Sequence, residues 1–328
     1  MSSFNAIIVG GQFGVYGHTA ALSLCPEIKI KGVYSSNEKN TSSLHEKLNI
    51  PHKYQTYEQA LGSTDIDLVF IAVPPQAQFN LARLAFQHRK KVFLEKPLAV
   101  NLELAENLVQ LAQENNIATC INFELIELPS LVFLKDLISK IPASEILHFN
   151  LDWRLPSHAF LTNKKSWKTQ PHEGGGFLKH YCSHIFHLLE WFFNEDYGSD
   201  TLVTDRLDLG GSLVQSRLKF ASGLTGQFGG TCASYANTGL TFEIYTRTAT
   251  YRLINVSQNL IYGYKIICTT ASTEQTLYQD TNSIVPSHLD ARALPVSKLI
   301  QKFIKNVDVP NILDGLKAQK HLEAAHYE

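Results

Sequence analysis

Short apolar runs alternate with helical patterns through the first third of the chain, and this alternation restricts the fold more than any other feature. Ala6-Ile7-Ile8-Val9 is an apolar run that ends at Gly10-Gly11, which reads as a buried parallel strand followed by a turn. Ala20, Ala21, Leu22 and Leu24 suit a helix that Pro26 closes, and Ile28 to Tyr34 reads as the second strand. Helical spacing returns over Ser42 to Leu48 and Tyr57 to Leu61. Asp67 to Val73 is the clearest strand; Pro74-Pro75 stop it, and Gln76 to His88 has helical spacing. Lys91 to Glu95 reads as a strand, Asn101 caps a helix to Asn115, and Ile117 to Ile121 follows as a strand. Strands joined by helices over short links predict an α/β fold. The expected form is a doubly wound parallel sheet over residues 1–122.

After Asn122 the pattern changes. Leu131 to Ser139 is helical, Ile146 to Trp153 is strand-like, and Gly174-Gly175-Gly176 opens a strong helix from Phe177 to Phe193. Thr201 to Tyr278 is rich in short alternating runs, among them Ser212 to Phe220, Leu224 to Gly229, Leu240 to Thr246 and Thr250 to Asn255. These predict a mostly antiparallel open sheet, and Leu299 to His326 is helical again. The second domain is expected to be α+β over 123–328, with its C-terminal helix free to pack back on the first. A length of 328 residues suits two domains. Lys plus Arg (29) and Asp plus Glu (30) nearly cancel, so neither nucleic acid nor an anionic membrane is an expected partner. Five cysteines lie far apart with no C-x-x-C, and no apolar run is long enough for a membrane span. The opening residues carry no signal-peptide pattern, so a reducing, cytoplasmic setting is expected.

Gly10-Gly11-Gln12-Phe13-Gly14 sits between the first strand and the first helix, where a Rossmann-like domain holds a pyrophosphate at the helix N-terminus. The spacing is irregular: Gln12 and Val15 stand at the second and third glycine places counted from Gly10, whereas Gly11, Gly14 and Gly17 fit G-x-x-G-x-x-G. A plain tight turn is the competing reading. Strand two ends in Ser35-Ser36 with no carboxylate to grip a ribose 2′-hydroxyl. Ser35, Ser36 and Lys39 suit a 2′-phosphate instead, a slight preference for NADP over NAD.

Glu95-Lys96-Pro97 places a carboxylate and an ammonium at the C-terminal end of a parallel strand, the edge where open α/β sheets bind ligands. With Val73-Pro74-Pro75, Ser166-Trp167-Lys168 and the Glu173 to Leu178 helix start, this strand resembles the Gfo/Idh/MocA oxidoreductases. Ile312 to Ala318 is similar to that family's closing helix, so the resemblance covers nearly the whole chain. It implies an NAD(P)-binding dehydrogenase or reductase acting on CH–OH groups. It also implies that Gly10, Gly11, Gln12, Phe13, Gly14, Ser35, Ser36, Val73, Pro74, Glu95 and Lys96 hold the cofactor.

Two departures from the family pattern stand out. His180 and His187 occupy places where aspartates are usual in the helix after the glycine triplet, while His184 keeps the usual histidine. Gln78 stands where a histidine commonly follows the two prolines. Positions 180, 184 and 187 share one face of a regular helix. They are open to three readings: substrate-facing groups, satisfied core histidines, or a zinc-type triad. The resemblance needs no metal.

The resemblance implies hydride transfer between a nicotinamide and a sugar-like alcohol or ketone, with a sugar or sugar-nucleotide 3-dehydrogenase as the sharpest form. Lys96 would polarise the substrate oxygen and His184 would act as acid/base, since imidazole titrates near neutrality. His180 would orient His184 or replace the missing carboxylate. Lys96, Asn122, Arg154, Trp167, Lys168, His184 and His187 are the expected substrate contacts. Two alternatives stay open: a biliverdin-reductase-like enzyme, suggested by Glu124 to Leu128, and a non-catalytic NAD(P)-binding sensor or scaffold. A short-chain dehydrogenase is disfavoured, because none of the thirteen tyrosines has a lysine four residues on. The resemblance implies a homodimer or homotetramer, with an exposed apolar sheet face as its physical reason; a monomer whose sheet face is polar is the alternative.

Overall fold

The computed structural model describes residues 3–36, 38–50, 54–204, 213–257, 259–280 and 288–327; of Glu38, Lys39, Asn40, Ser43 and Lys47 it describes the backbone alone. The chain divides into two compact units, Met1–Glu124 with Val285–Gln319, and Leu125–Ile284 with Lys320–Glu328.

In the first unit five parallel strands form one sheet: β1 (Phe4–Val9), β2 (Ile28–Tyr34), β3 (Leu68–Ile71), β4 (Lys91–Leu94) and β5 (Thr119–Ile121). Their spatial order is β2-β1-β3-β4-β5. All four residues of β3 are buried, as are the last three of β4, which is why these strands read as continuous apolar runs. The connecting helices begin where the sequence provides starts. Asn101 accepts from the Leu104 N–H and caps Leu102–Glu114, and Pro75 opens Pro75–Gln87. Chain order reverses between β1 and β3, and that reversal creates the crevice where a sheet of this type takes its ligand.

The segment 285–319 belongs to this first unit, where the sequence reading runs the second domain from 123 onward with only its last helix returning. The reason lies in the edge strand. Ile121 N–H donates to the Pro310 carbonyl at 2.7 Å, and Ile312 N–H donates to Thr119 Oγ1 at 3.1 Å. The tail thereby satisfies polar groups that β5 leaves open.

The second unit contains nine strands: β6 (Ile146–Arg154), β7 (Tyr197–Thr204), β8 (Leu213–Phe220), β9 (Thr225–Thr231), β10 (Gly239–Thr246), β11 (Thr250–Asn255), β12 (Tyr264–Thr269), β13 (Glu274–Gln279) and β14 (His326–Tyr327). Their order is β13-β12-β11-β10-β6-β9-β8-β7-β14. Among the described residues of this sheet, the β6–β9 and β14–β7 pairs are parallel and the others antiparallel. β8 alternates exposed and buried residues along its whole length, so the sheet has one buried and one open face. Phe149, Phe192, Phe193, Phe220 and Phe242 cluster edge to face on the buried side, joining the helix Ser183–Phe193 to the sheet.

The open face is polar. His148 bonds Thr225 and Asn150, Asn150 donates to Tyr245, and the Tyr245 hydroxyl donates to Glu243 at 2.8 Å. An apolar face, the expected physical reason for subunit pairing, is therefore not what this sheet presents. All five cysteines are free thiols, and no described helix is long and apolar enough to cross a membrane.

Candidate functional site

Gly10 closes β1 at φ +128°, and its N–H donates to the Tyr34 carbonyl at 2.8 Å. A Cβ on Gly10 would lie 2.1 Å from the Ala72 carbonyl oxygen, so only glycine lets the ends of β1 and β3 come this close. Gly11 follows beside Ser35, the residue after β2. The chain then turns into a helix through a wide π-type turn, Gly14–His18, that continues as Thr19–Leu22. No side chain caps this helix start; the Val15 and Tyr16 N–H groups donate to the Gln12 carbonyl at 2.9 and 3.1 Å. A bare helix N-terminus, a glycine-only crossing and the β1/β3 reversal together fit an anionic dinucleotide. Gln12 is exposed there, Phe13 half-buried and Gly14 buried. Ser36 and Pro74 are exposed and Val73 half-buried at the same edge of the sheet. The side chain of Lys39 lies outside the described residues.

The Glu95-Lys96-Pro97 turn is held from three sides. Gln78, buried, donates through Nε2 to the carbonyls of Glu95 (2.8 Å), Pro97 (3.2 Å) and Leu98 (3.1 Å), and its Oε1 accepts from the Glu95 N–H at 3.0 Å. Glu95 Oε1 meets His18 Nε2 at 2.8 Å and accepts from Asn122 Nδ2 at 2.8 Å. His18 is fully buried, with the rings of Phe13, Phe70 and Phe93 set edge-on 5.4–5.9 Å away. Among the described residues its Nδ1 has no hydrogen-bond partner, so the Nε2–H tautomer meets the carboxylate without burying a second N–H unpaired. Lys96 is half-buried beside this network.

Glu124 lies in the same unit with only 6% of its surface exposed. Burial and the charge of Glu95 raise its carboxyl above the usual carboxylate range, against the opposing charges of Lys96 and Arg292. Arg292, from the tail segment, pairs with Asp290 through Nε at 2.8 Å and Nη2 at 2.6 Å. Burial pushes Asp290 up, but the hydrogen bonds and charge of Arg292 outweigh it and hold the carboxyl below its usual range.

In the second unit the helix after the glycine triplet is not regular. A wide turn, Phe177–Cys182, precedes the α-helix Ser183–Phe193. His180 falls in the wide turn, and His184 and His187 in the α-helix. His184 is 5% exposed with its ring against Trp153 at 6.3 Å. His180 meets Trp167 edge-on at 5.3 Å. Tyr181 touches both Trp153 and His180. His187 is buried. Among the described residues no three His, Cys, Asp or Glu side chains are grouped to hold a metal. The glycine triplet has a steric reason: a Cβ on Gly175 would lie 2.1 Å from the Trp167 carbonyl oxygen, so the Ser166-Trp167-Lys168 loop packs directly on its backbone. Lys168 Nζ lies 5.9 Å from the Trp167 ring centre.

Two of the expected substrate contacts have partners of their own. Asn122 is 1% exposed and donates through Nδ2 to Glu95. Arg154 follows Trp153 in β6 and so points to the opposite, open face, where it pairs with Asp152 at 2.8 Å. Strand alternation made that placement readable. The residues that sequence reasoning left out of the site are His18, Gln78, Asp290 and Arg292. A histidine on the inward side of the first helix was a usable signal for His18; nothing local marked Arg292.

Comparison with known proteins agrees with this geometry. The model described as an oxidoreductase family with an NAD-binding Rossmann fold matches residues 4–123, and the GFO/IDH/MocA C-terminal domain matches 133–252. The "Uncharacterized oxidoreductase sll0816" of Synechocystis sp. is 23% identical over 95% of this chain and 90% of its own. Levoglucosan dehydrogenase of Pseudarthrobacter phenanthrenivorans is 21% identical over 75% of this chain and 72% of its own. A solved levoglucosan dehydrogenase in complex with NADH superposes with a TM-score of 0.85 at 16% identity, covering 98% of this chain and 96% of that one. At that identity the likeness speaks for the fold, and the two family models together span most of the sequence. The chain belongs to the Gfo/Idh/MocA family of NAD-binding oxidoreductases.

Proposed function

We propose that this protein is a sugar dehydrogenase or reductase that moves a hydride between a nicotinamide dinucleotide and a hydroxyl or ketone carbon. The sharpest form is reaction at C3 of a sugar or sugar nucleotide. The observation that supports it best is the turn at Glu95-Lys96-Pro97. A cation stands at the C-terminal edge of the parallel sheet, and its neighbour Glu95 is fixed by His18 and Asn122. Relatives named levoglucosan dehydrogenase, 1,5-anhydro-D-fructose reductase and scyllo-inositol 2-dehydrogenase support a polyhydroxylated substrate.

The nicotinamide supplies or accepts the hydride when bound. In this reading Gly10, Gly11 and the open helix start hold the diphosphate, and Val73, Pro74 and Glu95 border the nicotinamide end. Lys96 places positive charge on the substrate oxygen as it becomes an alkoxide, which favours the transition state over the alcohol. His184 takes the proton in oxidation and returns it in reduction. Its contact with Trp153 fixes the ring plane, and Trp167 beside His180 offers an aromatic face of the kind that suits a sugar ring. The hydroxyls of Ser35 and Ser36, with no carboxylate at the end of β2 to repel a 2′-phosphate, favour NADP. The same reading carries the homodimer or homotetramer that the family resemblance implies, while the polar open sheet face favours the monomer alternative.

The test is a fluorescence titration of NADH and NADPH, followed by absorbance assays with levoglucosan, inositols and sugar nucleotides. Cofactor binding with turnover that Lys96→Ala removes supports the proposal. Binding with no turnover on any of these classes would make the chain a cofactor-binding sensor.

A further inference from the structure

The glycine turn has a neighbour from the far end of the chain. Arg292 places its guanidinium 4.3 Å from the centre of the Phe13 ring, and Phe13 is the residue on which the first helix begins. Both residues belong to the first unit. Asp290 grips the Nε and Nη2 side of the guanidinium and also accepts from the Arg292 backbone N–H at 2.9 Å. Nη1 makes no hydrogen bond among the described residues, and 40% of the side chain remains exposed. This is an unusual use of an arginine. One edge is locked by a carboxylate and one face rests on an aromatic ring. The remaining edge stays open beside a helix start with no side-chain cap.

We infer that Arg292 is a cofactor-binding residue whose open guanidinium edge contacts the diphosphate of the bound dinucleotide. The inference rests on the reading of this unit as the NAD(P) site. Its chemistry is direct. A diphosphate brings two negative charges to a turn whose own donors are backbone N–H groups, and a planar guanidinium matches phosphate oxygens in geometry and charge. The Asp290 pair and the Phe13 ring hold the group in place beforehand, so little side-chain freedom is lost on binding. Ser35 lies at the end of β2, at a different point of the sheet edge, so Arg292 is assigned to the diphosphate and not to a 2′-phosphate.

Calorimetric titration of NADH, NADPH and ADP-ribose into wild type, Arg292→Gln and Arg292→Lys tests this, with circular dichroism and thermal melts to check folding. The expected result is a common loss of affinity for all three ligands in Arg292→Gln, by roughly tenfold or more. Arg292→Lys should recover part of it, because it keeps the charge without the planar fork. The dependence of affinity on salt should also flatten in Arg292→Gln. Unchanged affinities would overturn the inference. So would a loss confined to NADPH, which would move Arg292 to the 2′-phosphate, or a loss for NADH but not ADP-ribose, which would move it to the nicotinamide end. If Arg292→Gln does not fold, equal affinity in Arg292→Lys and wild type for all three ligands overturns it. A wild-type protein that binds none of the three overturns the cofactor reading itself, and this inference with it.

Discussion

His18 and Glu95 stand 77 positions apart in sequence and 2.8 Å apart in space, the histidine fully buried and the carboxylate at the rim of the parallel sheet. The contact ties the first helix to the turn that carries Lys96. Replacing His18 with Phe keeps the aromatic packing and removes the donor. Glu95 then keeps Asn122 as its one side-chain donor. The expected cost is about 1–3 kcal/mol in denaturant unfolding, the usual penalty for a buried carboxylate that loses a hydrogen bond. Adding Glu95→Gln should recover part of that loss, and additive effects in the double mutant would contradict the coupling.

Gln78 makes four hydrogen bonds to the backbone of the same turn. Gln78→Ala strands three carbonyls and one N–H. The expected cost is about 2–4 kcal/mol, read as a lower melting temperature, together with weaker NADH binding. Gln78→His, the residue commoner in the family, keeps one donor and should fall between the two. A melting curve for Gln78→Ala that overlays wild type would show that water replaces the amide without cost.

Gly10 and Gly11 are adjacent yet should respond differently. An alanine at 10 meets the Ala72 carbonyl at 2.1 Å and needs a positive φ, whereas at 11 the nearest atom is Ser35 Oγ at 3.4 Å. Gly10→Ala should cost about 3 kcal/mol or more and abolish dinucleotide binding. Gly11→Ala should fold with a near-normal melting temperature. Equal behaviour of the two variants in parallel melts would count against the close crossing of β1 and β3.

Lys96→Ala should separate binding from chemistry. Cofactor affinity is expected to stay within a few-fold of wild type, while kcat on any substrate found in the screen falls by about 10²–10³. A rise in KM alone, with kcat intact, would demote Lys96 to a binding contact.

His321 provides a pH test independent of substrate. It lies between Phe186 and Tyr197 at 5.2 and 4.4 Å and hydrogen-bonds Ser199. Burial pulls its pKa down to about 4, against the charge of Asp196. Unfolded histidine titrates near 6.5, so between about 6.5 and 4 the unfolded chain binds a proton that the folded chain refuses. The contribution is complete above about pH 6.5 and is lost as the pH falls toward 4, with a ceiling of about 3 kcal/mol. Urea midpoints at several pH values should show this slope in wild type and a flatter one in His321→Phe. Equal slopes would assign the acid sensitivity elsewhere.

β1 and β3 were readable because each lies in a dense apolar run ended by Gly or Pro, at Val9-Gly10 and Val73-Pro74. The Glu95-Lys96-Pro97 turn was readable for the same reason, since its place at a strand end gave a common tripeptide meaning. Other features resist a local reading. The wide turns at Gly14–His18 and Phe177–Cys182 interrupt the regular helical period, and residue spacing alone does not announce them. The facing of Arg154 was there in the alternation of β6, one residue from Trp153. The bond from Asn122 to Glu95 joins two strand ends 27 positions apart, and nothing in either segment announces it. Arg292 and Asp290 join the glycine turn through tertiary packing across some 280 positions, which no pattern in either segment encodes.

The tail that covers β5 also sets an order of events during synthesis. Pro310 and Ile312 supply the partners of Ile121 and Thr119, and they leave the ribosome long after β5, once the whole intervening stretch has been made. Until then the nascent Rossmann sheet carries an uncovered edge, the kind of surface to which other strands add. A fragment cut after residue 122 keeps that edge for good and should precipitate on expression. A fragment that joins residues 285–319 back through a flexible linker should remain in solution.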